Sequence, residues 1–266
     1  MKKGFLVAVM ILFVGLISGC QTTSNIYTYI LDEDFEGFIT LGTSADYAPY
    51  EWPMNVDGKT TLVGIDIEIA KEIAKASSKN LKVVNKGFDF LLDDLENGKV
   101  DFVLAGMTPT EERAKQVDFS MVYYEAIQVV LVKKSMLNTF NSIETMDLAS
   151  VRIGAQLGSI QQELVEDTFL TAQKSFIQSV PDLVMRLIDG QVDAVVMEKP
   201  VADGYVLNQS SVAIASITIG DPDGGSAVAV RKGNIELLKL INIVLSDLIE
   251  SGKMDQIVAD AVILNS

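Results

Sequence analysis

Apolar and polar positions divide the chain into strand- and helix-sized pieces. Ile39-Thr40-Leu41-Gly42-Thr43 predicts a first strand, and Ile69 and Ile73, at helical spacing after Gly64, predict a helix over 64–77. A strand over 81–84 and a helix over 90–96 follow. The stretch 100–105 is short and almost continuously apolar, which suits a parallel strand covered on both faces. It stops at Gly106-Met107-Thr108-Pro109-Thr110, where Thr110 is a candidate helix N-cap with Glu111 and Glu112 in the first turn. An extended apolar run over 126–132 reads as a crossing into a second lobe. Then come a short helix over 142–148, a strand over 151–155, a helix from about Gln161 and another starting at Ser179. The pattern closes with a strand over 214–219, a turn at 221–225, an extended return over 226–230 and helices over 234–251 and 254–263. Strands and helices in alternation predict an α/β fold.

One segment recurs. Gly98-Lys99-Val100-Asp101-Phe102-Val103-Leu104-Ala105-Gly106 aligns with Gly190-Gln191-Val192-Asp193-Ala194-Val195-Val196-Met197-Glu198. Either this is the common look of helix–turn–strand units, or the chain has two similar lobes whose strands end at a shared cleft, Ala105-Gly106 facing Met197-Glu198. In open α/β sheets ligands bind beyond the carboxyl ends of strands, which is where both segments would end.

Composition narrows the chemistry. The 266 residues suffice for one large or two medium domains, and 48% hydrophobic content supports a packed core. A formal charge of −15, more negative still if a leader carrying Lys2 and Lys3 is removed, argues against nucleic acid and against adsorption to anionic lipid. The absence of histidine removes the commonest acid–base residue and the usual zinc ligand. One cysteine permits neither an intrachain disulfide nor a thiolate cluster, and no cofactor or metal is expected.

That cysteine falls at a telling place. Met1-Lys2-Lys3 is basic, 5–17 is an apolar run of secretory-signal length, and Ile17-Ser18-Gly19-Cys20 resembles the lipobox of bacterial lipoproteins. The resemblance implies a signal peptide over 1–19, lipidation of Cys20 and a tether over 20–38, with two acyl chains providing stable attachment to the membrane. The remainder is then expected outside the cytoplasm.

Two further stretches suit small-ligand binding. Tyr47, Tyr50 and Trp52 crowd the loop after the first strand, and exposed rings stack on ligands at little entropic cost. Gln156-Leu157-Gly158-Ser159-Ile160 turns into a helix N-terminus, a ready anion site. It lacks GxGxxG spacing, so a dinucleotide is a weak reading.

In order along the chain, Tyr47-Ala-Pro-Tyr-Glu51, Gly64-Ile-Asp-Ile-Glu68, Ala105-Gly-Met-Thr-Pro-Thr-Glu-Glu-Arg113, Asp118-Phe-Ser120, Gly154-Ala-Gln-Leu-Gly-Ser159 and Gly190-Gln-Val-Asp193 make a set. This set resembles the polar amino-acid family of extracytoplasmic solute-binding proteins, which feed ABC importers. The resemblance covers about 39–263 and implies the two-lobe periplasmic-binding-protein fold of type II, with the ligand cleft between lobes and two hinge strands. Lobe 1 would comprise 39–126 plus 226–266 and lobe 2 127–225, with crossings near 124–128 and 224–228.

The family pattern also implies a site. Arg113 and the N–H groups of Thr108 and Ile160, the latter after Ser159 at the helix start, would hold an α-carboxylate. Glu198, the carbonyl of Gly106 beside Ala105 and the Thr108 hydroxyl would hold an α-ammonium. Tyr47 and Phe88 would sandwich the side-chain stem. Ser44, Glu51, Trp52, Gln156 and Met197 are candidates for side-chain specificity. Taken alone, Arg113 also suits a solvated surface charge, Glu198 a partner for Lys199, and Thr108 a simple cap.

Departures from the pattern leave specificity open. Several relatives carry small hydroxyl residues at the Ala105 and Gly106 positions, one uses a lysine at the Gln156 position, and some have aspartate at Ser44. Glu198 is a methylene longer than the aspartate most common there. Asp46, Glu51 and Gln156, placed near the mouth, lean toward a basic or amide side chain, since an aromatic sandwich suits a guanidinium. The partners expected are a free amino acid, an ABC permease and the membrane through the lipid anchor, with the protein a monomer. Two other functions compete. One is a dehydratase of arogenate-like (cyclohexadienyl) acids on the same fold, which needs an acid–base pair that a chain without histidine is poorly equipped to supply. The other is a ligand-sensing module for a separate signalling partner.

Overall fold

Helix–strand alternation produces a six-stranded and a five-stranded sheet among the described residues, beside a separate two-stranded hairpin. In a computed structural model, which describes residues 25–220 and 225–266, the chain starts with β1 (Ile26–Tyr29) and β2 (Phe38–Thr43). The hairpin β3 (Trp52–Val56) and β4 (Lys59–Val63), α1 (Ile65–Ala76), β5 (Asn80–Asn85) and α2 (Leu91–Glu96) follow. Then come β6 (Phe102–Val103), α3 (Arg113–Gln116) and β7 (Val117–Glu125). The second lobe runs through β8 (Gln128–Lys133), α4 (Ile143–Met146), β9 (Arg152–Gln156), α5 (Ile160–Thr168), β10 (Gln173–Ile177), α6 (Val180–Asp189), β11 (Ala194–Glu198), α7 (Lys199–Asn208) and β12 (Val212–Ile219). The chain returns through β13 (Gly225–Arg231), α8 (Ile235–Glu250) and α9 (Lys253–Leu264).

The first sheet has the order β1-β5-β2-β6-β13-β7 and the second β10-β9-β11-β8-β12. In each, a parallel trio (β5-β2-β6 and β10-β9-β11) is extended by antiparallel strands next to the crossing. Only Ala126 and Ile127 separate β7 from β8, so one crossing lies at the expected place. The second crossing is expected near 224–228, of which 225–228 begin β13; residues 221–224 of the predicted turn, the expected signal peptide and Cys20 lie outside the described residues.

The structure corrects several predicted elements. The strand read over 100–105 is paired only at Phe102–Val103, because β13 runs antiparallel on one side and the chain bends into the Gly106 loop. Helix α3 starts at Arg113, not at Glu111, although the Thr110 hydroxyl does accept the Arg113 N–H. Part of the segment read as a tether is structural, since Ile26–Tyr29 pairs antiparallel with β5 and the Tyr29 hydroxyl donates to the Leu62 carbonyl. Strand β10 and helix α7 had no strong periodic signal: Gln173–Ile177 carries polar residues at its first three positions, and Lys199–Asn208 has Pro200 and Gly204 in it.

The repeated segment does the same work twice. Gly98 and Gly190 both adopt left-handed backbone after a helix, the conformation glycine enters without a Cβ penalty. Asp101 accepts the Thr40 N–H at 2.8 Å and Asp193 accepts the Arg152 N–H at 2.9 Å, pinning the start of each lobe's central parallel strand. The carboxyl ends of β6 and β11 thereby point toward the same interlobe space.

Candidate functional site

Tyr47, Phe88, Ala105, Gly106, Thr108, Arg113, Gln156, Ser159, Ile160 and Gln161 line one narrow cavity between the lobes. Eight of the nine residues predicted to bind ligand are therefore brought together, with Gln156 from the specificity set. Larger grooves are open to the surface, one along the hinge beside Tyr124 and Leu207, where the charges of Lys199 and Asp203 pair with each other at 2.6 Å.

From lobe 1 come the floor and the cation. Gly106 has φ +55, and a Cβ there would stand 3.3 Å from the Tyr47 ring, so glycine lets the loop after β6 lie against that ring without strain. The loop is tied down by Asp66 at the start of α1, whose carboxylate accepts the Gly106 N–H at 2.8 Å and the Tyr123 hydroxyl at 2.7 Å. Arg113 is 8% exposed. Its guanidinium donates to the Thr108 carbonyl at 2.8 Å and, across the lobe boundary, to the Gly158 carbonyl at 3.0 Å, and it lies over the Phe88 ring. Among the described residues no carboxylate lies within ion-pair distance of it. Burial accordingly pushes its pKa down, with Glu163 on α5 acting weakly the other way.

Lobe 2 supplies the helix terminus and the anion. The Ser159 hydroxyl caps α5 by accepting the Gln162 N–H, and Ile160 is the first helical residue, in the turn whose N–H groups have no intrahelical acceptor. Gln156 donates to the Gln178 carbonyl and Gln161 to the Gln128 side chain. Glu198, at the end of β11, is 1% exposed and does not line the cavity directly. Its backbone N–H donates to the Tyr47 hydroxyl at 3.2 Å, so it stands just behind that ring. Burial raises its carboxyl pKa to about 7, against the pull of Tyr50 and Gln128, and among the described residues its Oε2 has no hydrogen-bond donor. The site thus holds a buried cation without an anion on one lobe and a buried carboxyl without a cation on the other.

Of the specificity candidates, only Gln156 stays at the cavity. Ser44 is buried and faces Asp46, and Met197 belongs to the core. Trp52 lies on the β3–β4 hairpin and faces a separate groove between the lobes. Glu51 is fully buried instead of lying at the mouth. Burial, with the neighbouring Asp66 acting the same way, raises its pKa well above its ordinary value, and burial raises that of Asp66 to about 6. Sequence reasoning passed over Asp66, Gln128 and Gln161. Asp66 had a signal, an acid in the first turn of an otherwise apolar helix; the two glutamines had none.

A cavity between two α/β lobes, floored by aromatic rings and flanked by unpaired charges of opposite sign, defines a two-lobed small-molecule binding protein. Residues 39–261 match the bacterial extracellular solute-binding proteins, family 3, and the chain belongs to that family. It is 33% identical over 266 residues to the arginine-binding extracellular protein ArtP of Bacillus subtilis, covering 97% of this chain and 96% of ArtP. It is 31% identical to the ABC transporter arginine-binding protein 1 of Escherichia coli, over 82% of this chain and 88% of that one. Among solved structures, the amino acid ABC transporter substrate-binding protein AbpA of Streptococcus pneumoniae, bound to L-arginine, superposes with a TM-score of 0.83 at 36% identity, covering 86% of this chain and 96% of AbpA.

Proposed function

We propose that this protein captures a free amino acid, L-arginine first among the candidates, and presents it to the membrane permease of an ABC importer. The observation that carries the reading is the pair of buried, unmatched charges: Arg113 without an anion and Glu198 without a cation, flanking Tyr47. A zwitterion supplies both missing partners. Its carboxylate takes the guanidinium with the first N–H groups of α5, its ammonium takes Glu198, and its side-chain stem lies between Tyr47 and Phe88. Arginine as the ligand is supported by the names of the relatives and by the aromatic walls, on which a guanidinium stacks. Lobe 1 (39–126 plus 226–266) and lobe 2 (127–225) close on the ligand about the two crossings. The receptor is a monomer anchored outside the cytoplasm through lipid on Cys20. Relatives named as binding proteins favour this reading over the dehydratase.

A thermal-shift screen against the free amino acids tests it. A ligand at a hundred times its Kd stabilises the folded chain by about 2.7 kcal/mol, a shift of a few degrees. Arginine is expected to give the largest shift; a flat screen overturns the reading. Labelling with a fatty acid is expected to mark the wild-type chain and not Cys20→Ala, and an unlabelled wild-type chain rules out the anchor.

A further inference from the structure

Asp46 precedes Tyr47 in lobe 1 and lies outside the lining of the ligand cavity. Its Oδ2 accepts a 3.0 Å hydrogen bond from the N–H of Val180, the first residue of α6 in the other lobe. The neighbouring donors of that turn are already committed or missing. Ser179 takes the N–H of Asp182, and Pro181 has none. Val180 is therefore the donor that α6 offers to lobe 1, and a carboxylate at a helix N-terminus is favoured by charge and dipole together. The turn that presents Asp46 is fixed, since its own N–H donates to the Ser44 carbonyl at 2.8 Å and the Ser44 hydroxyl donates to its other oxygen at 3.4 Å. The receiving end is equally firm. Val180, Leu183, Val184 and Leu187 of α6 are buried, and the helix leads through Gly190 into the strand that ends at Glu198.

We propose that Asp46 is a closure latch, a positioning residue that ties lobe 1 to α6 only when the lobes are shut and so sets how long ligand stays rather than which ligand enters. The inference rests on the binding reading above. Opening must break the Asp46–Val180 bond, whereas ligand reaching the open cleft does not meet it. Asp46 therefore acts on the dissociation rate and leaves association and side-chain preference alone.

Stopped-flow binding of L-arginine to the full chain, followed by the emission of Trp52, tests this; Trp52 and Asp46 line the same interlobe groove. Asp46→Ala is expected to raise koff about tenfold to a hundredfold, the span for a lost hydrogen bond to a charged group. The kon should hold within threefold, and so should the ratio of arginine to glutamine affinity. Asp46→Asn, which keeps the shape and an acceptor oxygen, is expected to fall between the two, and it carries the test if the alanine variant does not fold. An unchanged koff, a loss confined to kon, or a shifted arginine-to-glutamine ratio overturns the latch. If the wild-type chain ignores arginine, the arginine reading fails by itself. The latch is then read by the same stopped-flow comparison with the free amino acid that gives the largest thermal shift, where Asp46→Ala must raise koff and an unchanged koff overturns it.

Discussion

The two lobes share a frame and differ at the point where the frame meets the ligand. In both, a helix ends in a left-handed glycine, and an aspartate three residues on clamps the first residues of the neighbouring parallel strand. Past that strand they diverge. Lobe 1 continues as an irregular loop through Gly106 and Thr108 to Arg113, whereas lobe 2 passes directly from Glu198 into α7. One lobe can therefore bend its backbone around a ligand and reach back with a long cation, while the other offers a carboxyl held rigidly at a strand end. The repeated residues build the scaffold, and on the proposed reading the unrepeated ones carry the binding.

Breaking the unrepeated half should cost most. Arg113→Ala leaves a ligand carboxylate buried without a partner, a loss of about 3–5 kcal/mol, and isothermal calorimetry is expected to show Kd rising at least a hundredfold. Glu198→Gln should weaken binding by about 2–5 kcal/mol through the unpaired ammonium. The same change should raise the melting temperature of the ligand-free chain at pH 8, because a carboxyl with a pKa of about 7 no longer has to ionise in the interior. A variant that lost both binding and stability would instead make Glu198 a structural residue.

The glycines sharpen the contrast at a smaller scale. Gly106→Ala, at φ +55 and against Tyr47, should cost about 1–2 kcal/mol of stability and also reduce affinity. Gly190→Ala, at φ +77 in the scaffold, should cost about 1 kcal/mol of stability in denaturant melts and leave Kd unchanged. Equal effects of the two on affinity would erase the distinction between frame and site.

The smallest expected effect is that of pH, and its sign depends on the state. Asp46 and Asp66 at about 6 and Glu198 at about 7 all lie above their ordinary values, chiefly through burial. The folded, ligand-free chain therefore binds more protons than the unfolded one, and the stability they contribute is fully present near pH 4 and lost as pH rises through 6 to 7. Carboxylates lowered by lysine or arginine partners, such as Asp94 and Asp193, act oppositely, below the ordinary range. Melting temperature should thus fall between pH 5 and pH 8. Ligand affinity should move the other way, weakening several-fold from pH 8 to pH 6 as Glu198 takes up its proton. Affinity independent of pH over that range would remove Glu198 from the ammonium site.

Much of this was legible in the chain. The long periodic helices α1 and α8, the apolar strands β8, β9 and β11 and the repeat could be read from residue order, because burial on one helix face or on both strand faces imposes a strong pattern, whereas the cavity lining came from the resemblance to the solute-binding family. Strand β1 and strand β10 could not, being edge strands whose exposed faces tolerate polar residues. Glu51 and Trp52 were misplaced for a related reason. Adjacent residues entering a strand point to opposite sides, so the position that looked exposed became core and its neighbour turned toward another groove. The Asp46–Val180 bond joins residues far apart in sequence and becomes visible only once the lobes are placed.

The most direct test of the central claim compares L-arginine with agmatine, the same molecule without its α-carboxylate, by calorimetry on the wild-type chain at pH 8. If Arg113 and the start of α5 clamp that carboxylate, agmatine binds at least a hundredfold more weakly. Agmatine binding within tenfold of arginine would contradict the account, because the buried guanidinium would then have some other purpose.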